Sequence, residues 1–259
     1  MIGDKIPLFN SGTILTKESL EHVRNYALAE RENAYIGFAD GIYSGCEVTA
    51  TEDLLTVNKG IFVYKEQAYY LDKAVTVRYV PTNEWIILKI SFLGEEVSEA
   101  YITKGIKICL GKEGEMGNND MELCRFKLQS GAGLRNTYRD FRDLSTQYDT
   151  VYEIEAKWSA YGKYSMAPRV LREFYKEAVK VSRKEPLDML FLSQIAELKG
   201  NTLNRDTILL YICNKLGWEY KDYSNIKLYE GLNEILNGMK SGRSHMMTRE
   251  QKERRIIVD

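Results

Sequence analysis

Histidine and proline are scarce in this chain of 259 residues, with two of the first (His22, His245) and four of the second. Neither histidine sits in a Ser/His/Asp or Cys/His arrangement able to activate a nucleophile. There is no His-Glu-x-x-His, no Gly-x-Ser-x-Gly and no Gly-Lys followed by Ser or Thr. The four cysteines, Cys46, Cys109, Cys124 and Cys213, lack Cys-x-x-Cys spacing and have no histidine nearby. A zinc site needs clustered thiolates or imidazoles, so none is expected, and disulfides are not expected either. Cys109, inside Ile106-Lys107-Ile108-Cys109-Leu110, reads as a small core residue. No apolar run reaches the length of a membrane-spanning helix. The first ten residues are too short and polar for a secretory signal. With a net charge of −1 the chain has no basic field to draw it onto nucleic acid or an acidic membrane. The expected product is a protein made and folded in a cytoplasm, without catalytic residues, cofactor or metal.

What is present divides in two. Apolar content of 44% and charged content of 28% are ordinary for a globular protein. Residues 41–110 read as short strands separated by turns, whereas amphipathic helices follow 165. The reading is α+β: an N-terminal antiparallel β-sandwich or barrel module, then a C-terminal helical bundle. It divides as an arm and helix (1–33), an antiparallel β domain (34–120), a connector (121–164), the bundle (165–240) and a basic mobile tail (241–259).

Thr16 can cap a first helix to about Arg31, with Leu20, Val23, Ala27 and Leu28 on one face. Strands are expected over 35–39, 47–50, 54–57, 61–65, 68–71, 74–80, 85–93 and within 100–110. Asn58-Lys59-Gly60 should close a hairpin between 54–57 and 61–65, and Asp72-Lys73 another between 68–71 and 74–80. The glycine-rich 111–120 is a surface loop, because Gly111-Lys112 is followed by Glu113, which repels a phosphate. Residues 121–134 are expected to be helical. Arg135, Arg139 and Arg142 would share a helix face, able to meet phosphates or to pair with Asp140 and Asp143. Four further helices start at Pro168, Pro186, Asn204 and before Ile226, the last three ending at Gly200, Gly217 and Gly238.

Tyrosine is the compositional excess, 18 against 8 Phe and 3 Trp. Those before residue 80 fit strand propensity. The group from 138 to 164 lies outside clear strands, where tyrosine favours either half-buried positions or wet contacts. Tyr138, Arg139, Phe141, Arg142, Tyr148, Tyr152, Trp158 and Tyr161 are therefore candidate interface residues. Ile256, Ile257 and Val258 join them: the tail is either a mobile extension or an arm that adds a strand to a neighbour's sheet edge.

The run Met121-Glu122-Leu123-Cys124-Arg125-Phe126-Lys127-Leu128, with Gly131-Ala132-Gly133-Leu134-Arg135 and Tyr138-Arg139-Asp140-Phe141, resembles a segment of tail-region proteins from Gram-positive prophages. Gly41-Ile42-Tyr43-Ser44-Gly45, Leu54-Leu55-Thr56-Val57 and Gly60 are similar to the same proteins, as are Pro186-Leu187-Asp188 and Asn204-Arg205-Asp206. The resemblance, to contractile phage tails and phage-tail-like (R-type) bacteriocins, implies a non-enzymatic structural part of a baseplate or tail-fibre junction. Its partners would be other baseplate or tail proteins or a receptor-binding fibre. It would occur in several copies per released particle, without nucleic acid or membrane insertion. The alternatives are a cell-wall or carbohydrate-active enzyme using paired carboxylates, for which Glu95, Glu96, Asp140 and Asp143 are candidates, and a nucleic-acid-binding adaptor using the arginines and the basic tail.

Overall fold

The computed structural model describes residues 6–12 and 14–242; the docking strand expected of Ile256-Ile257-Val258, and His245, lie outside the described residues. Helix α1 (Lys17–Asn33) starts as its cap predicts, Thr16 Oγ1 accepting from the Ser19 N–H at 3.1 Å. Residues 35–39 form turns rather than a strand, with Phe38 bridged to Tyr161, the Ala39 N–H donating to Ala160 O and Tyr35 buried against Val63 and Ala68.

Six short strands follow: β1 (Gly41–Gly45), β2 (Val48–Ala50), β3 (Leu54–Val57), β4 (Gly60–Tyr64), β5 (Gln67–Leu71) and β6 (Val75–Arg78). They order as β1-β4-β5 and β2-β3-β6, all antiparallel. The two expected hairpins do not form. β3 and β4 are halves of one bent strand, and so are β5 and β6. The ladder continues through the bend, where the Cys46 N–H donates to Lys59 O and the Asn58 N–H to Glu47 O. Gly45 and Cys46 adopt left-handed backbone there, φ 66° and 53°, which turns β1 into β2. The true reversal is Lys65-Glu66, both left-handed, between the paired Tyr64 and Gln67. A three-stranded meander thus folds across its middle, and Asn58-Lys59 and Asp72-Lys73 mark the crease.

Gly60 sits on that crease. A Cβ there would lie 2.4 Å from Ser44 O and 2.5 Å from Cys46 N, so backbone must move. Gly60→Ala is expected to destabilise by about 1–3 kcal/mol, seen as a lower urea midpoint at unchanged slope.

The third sheet is β8-β7-β9, from β7 (Trp85–Val97), β8 (Ile102–Lys112) and β9 (Asp120–Lys127). β9 replaces the helix expected from 121: Met121, Leu123, Cys124 and Phe126 turn inward, and a bulge at Leu123, between the Leu88↔Cys124 and Lys89↔Glu122 pairs, breaks the alternation that would have exposed it as a strand. Tyr64 stacks on Phe92 at 4.1 Å and Tyr79 meets Phe126 edge-on at 5.5 Å, joining this sheet to the meander. The sheets stay open rather than closing into a barrel.

Between 128 and 167 the chain is irregular apart from a 3-10 turn (Arg142–Ser145), so Arg135, Arg139 and Arg142 share no helix. Helices α2 (Pro168–Ala178), α3 (Pro186–Ala196), α4 (Arg205–Leu216) and α5 (Asn225–Ser241) complete the fold. Pro168 and Pro186 open their helices, Asn204 accepts from the Asp206 N–H at 2.8 Å, and Gly217 closes α4 at φ 68°. α5 runs through Gly238 to Gly242, which takes the left-handed cap. Packing of its buried stripe, Leu228, Leu232, Ile235, Leu236 and Met239, outweighs the glycine's helix penalty of about 1 kcal/mol. One apolar core runs from Leu55, Phe62 and Leu88 through Ile154, Trp158 and Leu171 to Phe174, Ile212 and Leu232.

Candidate assembly surface

The residues expected at an interface divide by burial. Phe141 and Trp158 belong to this chain's own core: Phe141 packs on Phe174 and Tyr229, and its carbonyl accepts from the Tyr229 hydroxyl at 2.7 Å. Tyr138 is half-buried and donates to Val151 O at 2.7 Å, and burial pushes its phenol pKa up. Tyr152 packs against Trp85, and Tyr148 lies under Lys127. Arg142 donates to Asn237 Oδ1 at 2.6 Å, and Arg139 and Tyr161 are exposed, Tyr161 meeting Phe38 edge-on at 6.0 Å. Arg135 is held bidentate by Asp143, 2.6 and 2.7 Å, which keeps the Asp143 carboxyl well below the usual range and absorbs the cation a phosphate would need.

Most large apolar side chains exposed among the described residues lie elsewhere, in 6–36 and 93–102. No residue of α1 is buried, and its stripe faces outward, Leu20 53% and Val23 47% exposed. The arm before it presents Ile6, Phe9 and Leu15, and between arm and helix lies an apolar crevice of about 730 Å³ lined by Pro7, Val23 and Tyr26. The end of α1 meets the sheet where Arg31 lies 5.6 Å over the Tyr70 ring. On the same sheet, Gln67 accepts from Lys104 of β8 at 3.0 Å. β9 covers β7 only as far as the Ser91↔Asp120 pair, so the β7–β8 hairpin runs on as a two-stranded arm to Val97↔Ile102. Leu93, Val97, Tyr101 and Ile102 are exposed along it.

An amphipathic helix without a core and a two-stranded arm without a third strand are each marginal in water. Burying one Leu or Val yields about 1.5–3 kcal/mol before the cost of association. Large apolar side chains left exposed in groups of this kind suit a protein contact. Its signal was present in the sequence as the Leu20/Val23/Ala27/Leu28 stripe, but a stripe does not reveal whether its own chain covers it.

No protein-family profile matches the chain, and no curated protein matches it. Several solved structures are similar to it, three of which follow. One is the crystal structure of TssK, at 9% identity over 93% of this chain and 70% of that chain, TM-score 0.44. Another is a cryo-electron microscopy structure of the type VI secretion system TssK-TssF-TssG baseplate subcomplex, at 7% identity over 92% of this chain and 100% of that one, TM-score 0.42. The third is the baseplate complex from the type VI secretion system, at 12% identity over 100% and 93%, TM-score 0.30.

The carboxylates proposed for catalysis are scattered. Glu95 and Glu96 lie on the exposed β7–β8 arm, Glu95 3.5 Å from Lys104. Asp143 is locked to Arg135, and Asp140 Oδ1 accepts from the Asp143 N–H. One carboxyl the sequence did not single out, Glu153, has its pKa pushed up to about 7 by burial against the pull of Arg169. Beside it lies a void of about 20 Å³, room for a single water and not for a sugar. Asp120 goes the other way, held down to about 2 by Lys89 and Ser91, in a link that ties the start of β9 to β7. Cys46 and Cys124 are buried free thiols with raised pKa, Cys46 to about 12, which leaves them unreactive.

Proposed function

We propose that this chain is a non-enzymatic structural subunit of the baseplate of a contractile phage tail or phage-tail-like bacteriocin. In this reading it is made in the bacterial cytoplasm and built, in several copies, into a released particle. The observation that carries the reading is the uncovered apolar surface of the arm, α1 and the β7–β8 hairpin, which a subunit covers by docking on its neighbours. The resemblance of 121–141 to prophage tail-region proteins supplies the setting, with other baseplate proteins or a receptor-binding fibre as partners.

Co-expression with the neighbouring genes, size-exclusion chromatography and negative-stain microscopy test this. Incorporation into a ring or tail-tip assembly is the expected result, and a chain that elutes alone overturns the role. Because Leu20 and Val23 touch no core, Leu20→Ser/Val23→Ser is expected to leave stability within about 0.5 kcal/mol of the parent. The same change is expected to weaken the assembly at least roughly tenfold, equal to about 1.4 kcal/mol. A drop in melting temperature matching the loss of assembly would mean that α1 serves the fold instead.

A further inference from the structure

A second open feature lies on the helical side, apart from the α1 surface. A groove of about 610 Å³ runs between residues 139–140, the segment after α2 and the C-terminal end of α5. Val181 and Met239 give it an apolar lining, and Arg139, Lys180, Arg183 and Lys240 give it positive charge. Its two acidic residues are already engaged. Glu177 accepts from the Phe141 N–H and pairs with Lys240, and Asp140 holds the Asp143 N–H. The carbonyls that end α2 are taken up by Lys184, which donates to Val179 O at 2.9 Å and to Val181 O. Arg139, Lys180 and Arg183 are left with no acidic partner among the described residues. A groove of this character fits a segment that carries carboxylates between apolar side chains.

The chain itself carries one. At the tip of the β7–β8 arm, Glu96 and Glu99 are exposed without an ion-pair partner among the described residues, and Val97 and Tyr101 stand exposed beside them. The tip is set before binding: the ladder reaches Val97↔Ile102, and the Ser98 N–H donates to Tyr101 O at 2.8 Å, so little order remains to be imposed. We infer that the acidic β7–β8 tip of one copy seats in the basic groove between α2 and α5 of the next. Tip and groove are different patches, so the contact is head-to-tail and builds rings or filaments rather than a two-fold dimer. The inference stands without the baseplate reading.

Sedimentation velocity on the full chain tests it, in the Leu20→Ser/Val23→Ser background so that the α1 surface does not contribute. The parent of this background is expected to self-associate with concentration and to lose association as salt rises. Glu96→Lys/Glu99→Lys and Arg139→Glu/Arg183→Glu, all at exposed positions, are each expected to weaken it at least roughly tenfold. A 1:1 mixture of the two variants restores association, because the intact tip of one meets the intact groove of the other. A parent that remains monomeric at about 1 mM overturns the inference. So does association that ignores either pair of reversals, and so does a mixture that fails to restore it.

Discussion

Replacing Arg205 with alanine is expected to lower the unfolding free energy by about 3–5 kcal/mol, read from urea denaturation. Arg205 is the first residue of α4 and only 2% exposed. A cation at a helix N-terminus opposes the helix dipole, so the position is held by what the guanidinium ties together. Its Nε donates to Asp222 Oδ1 at 2.9 Å, Nη1 to Asn225 Oδ1 at 2.7 Å and to Tyr164 O at 3.2 Å, and Nη2 to Tyr223 O. The group also lies 4.7 Å over the Tyr164 ring. Asn225 passes the link on to Ala156 O and Ser165 O, joining α4, α5 and the segment that leads into α2. Alanine strips the donors from a buried amide oxygen and two carbonyls together, each costing about 1–3 kcal/mol. Two controls separate this from ordinary ion pairing. Asp222 is 56% exposed, so Asp222→Asn is expected to cost less than about 1 kcal/mol. Arg205→Lys keeps the charge but not the planar fork, and should recover less than half of the loss. A lysine variant as stable as the parent would reduce the site to simple charge.

Arg205 also shows how far the sequence could be read. Asn204-Arg205-Asp206 was legible as a helix start because capping is local chemistry, and Pro168, Pro186 and Gly217 were legible for the same reason. What escaped was every choice made by distant partners. Asn58-Lys59-Gly60 carries a strong turn signal, yet it creases a strand, because the strand formed by β1 and β2 continues to pair through it. Lys65-Glu66 carries no such signal and makes the reversal, helped by Asp40, whose Oδ1 accepts from the Lys65 N–H at 2.6 Å. The interface followed the same division. The tyrosines of 138–152 were placed at a contact by composition, but Tyr138 and Tyr152 spend their rings within the chain. The α1 stripe was legible as one apolar face, and the fold leaves that face without a core of its own. Periodicity reports which face is apolar; only the tertiary fold reports what covers it.

The second large effect is expected at the junction of sheet and helices, and it depends on pH. Arg169 of α2 donates to Glu153 Oε1 at 3.0 Å and to Val48 O at 3.1 Å, pinning the helix to β2. Burial raises the Glu153 pKa from 4.5 to about 7, and Arg169 is the main force holding it down. A carboxyl raised in the folded state contributes stability that is complete below pH 4.5 and lost as pH climbs through 7. The parent protein should therefore weaken across that window, and Glu153→Gln should flatten the decline. The strongly depressed carboxyls, Asp120 and Asp143, change stability at lower pH and leave this window alone. Arg169→Ala removes the compensating cation. At pH 8 it leaves a buried carboxylate uncompensated, at an expected cost of about 3–5 kcal/mol. At pH 5 Glu153 takes up a proton, and the loss should shrink to the hydrogen bonds, about 1–2 kcal/mol. The double variant Arg169→Met/Glu153→Gln should recover most of the alkaline loss, since no charge is then buried. Denaturation of the four proteins at pH 5 and pH 8 checks this. A loss in Arg169→Ala that is equal at both pH values would mean that Glu153 does not titrate there, and that Arg169 holds the junction through Val48 alone.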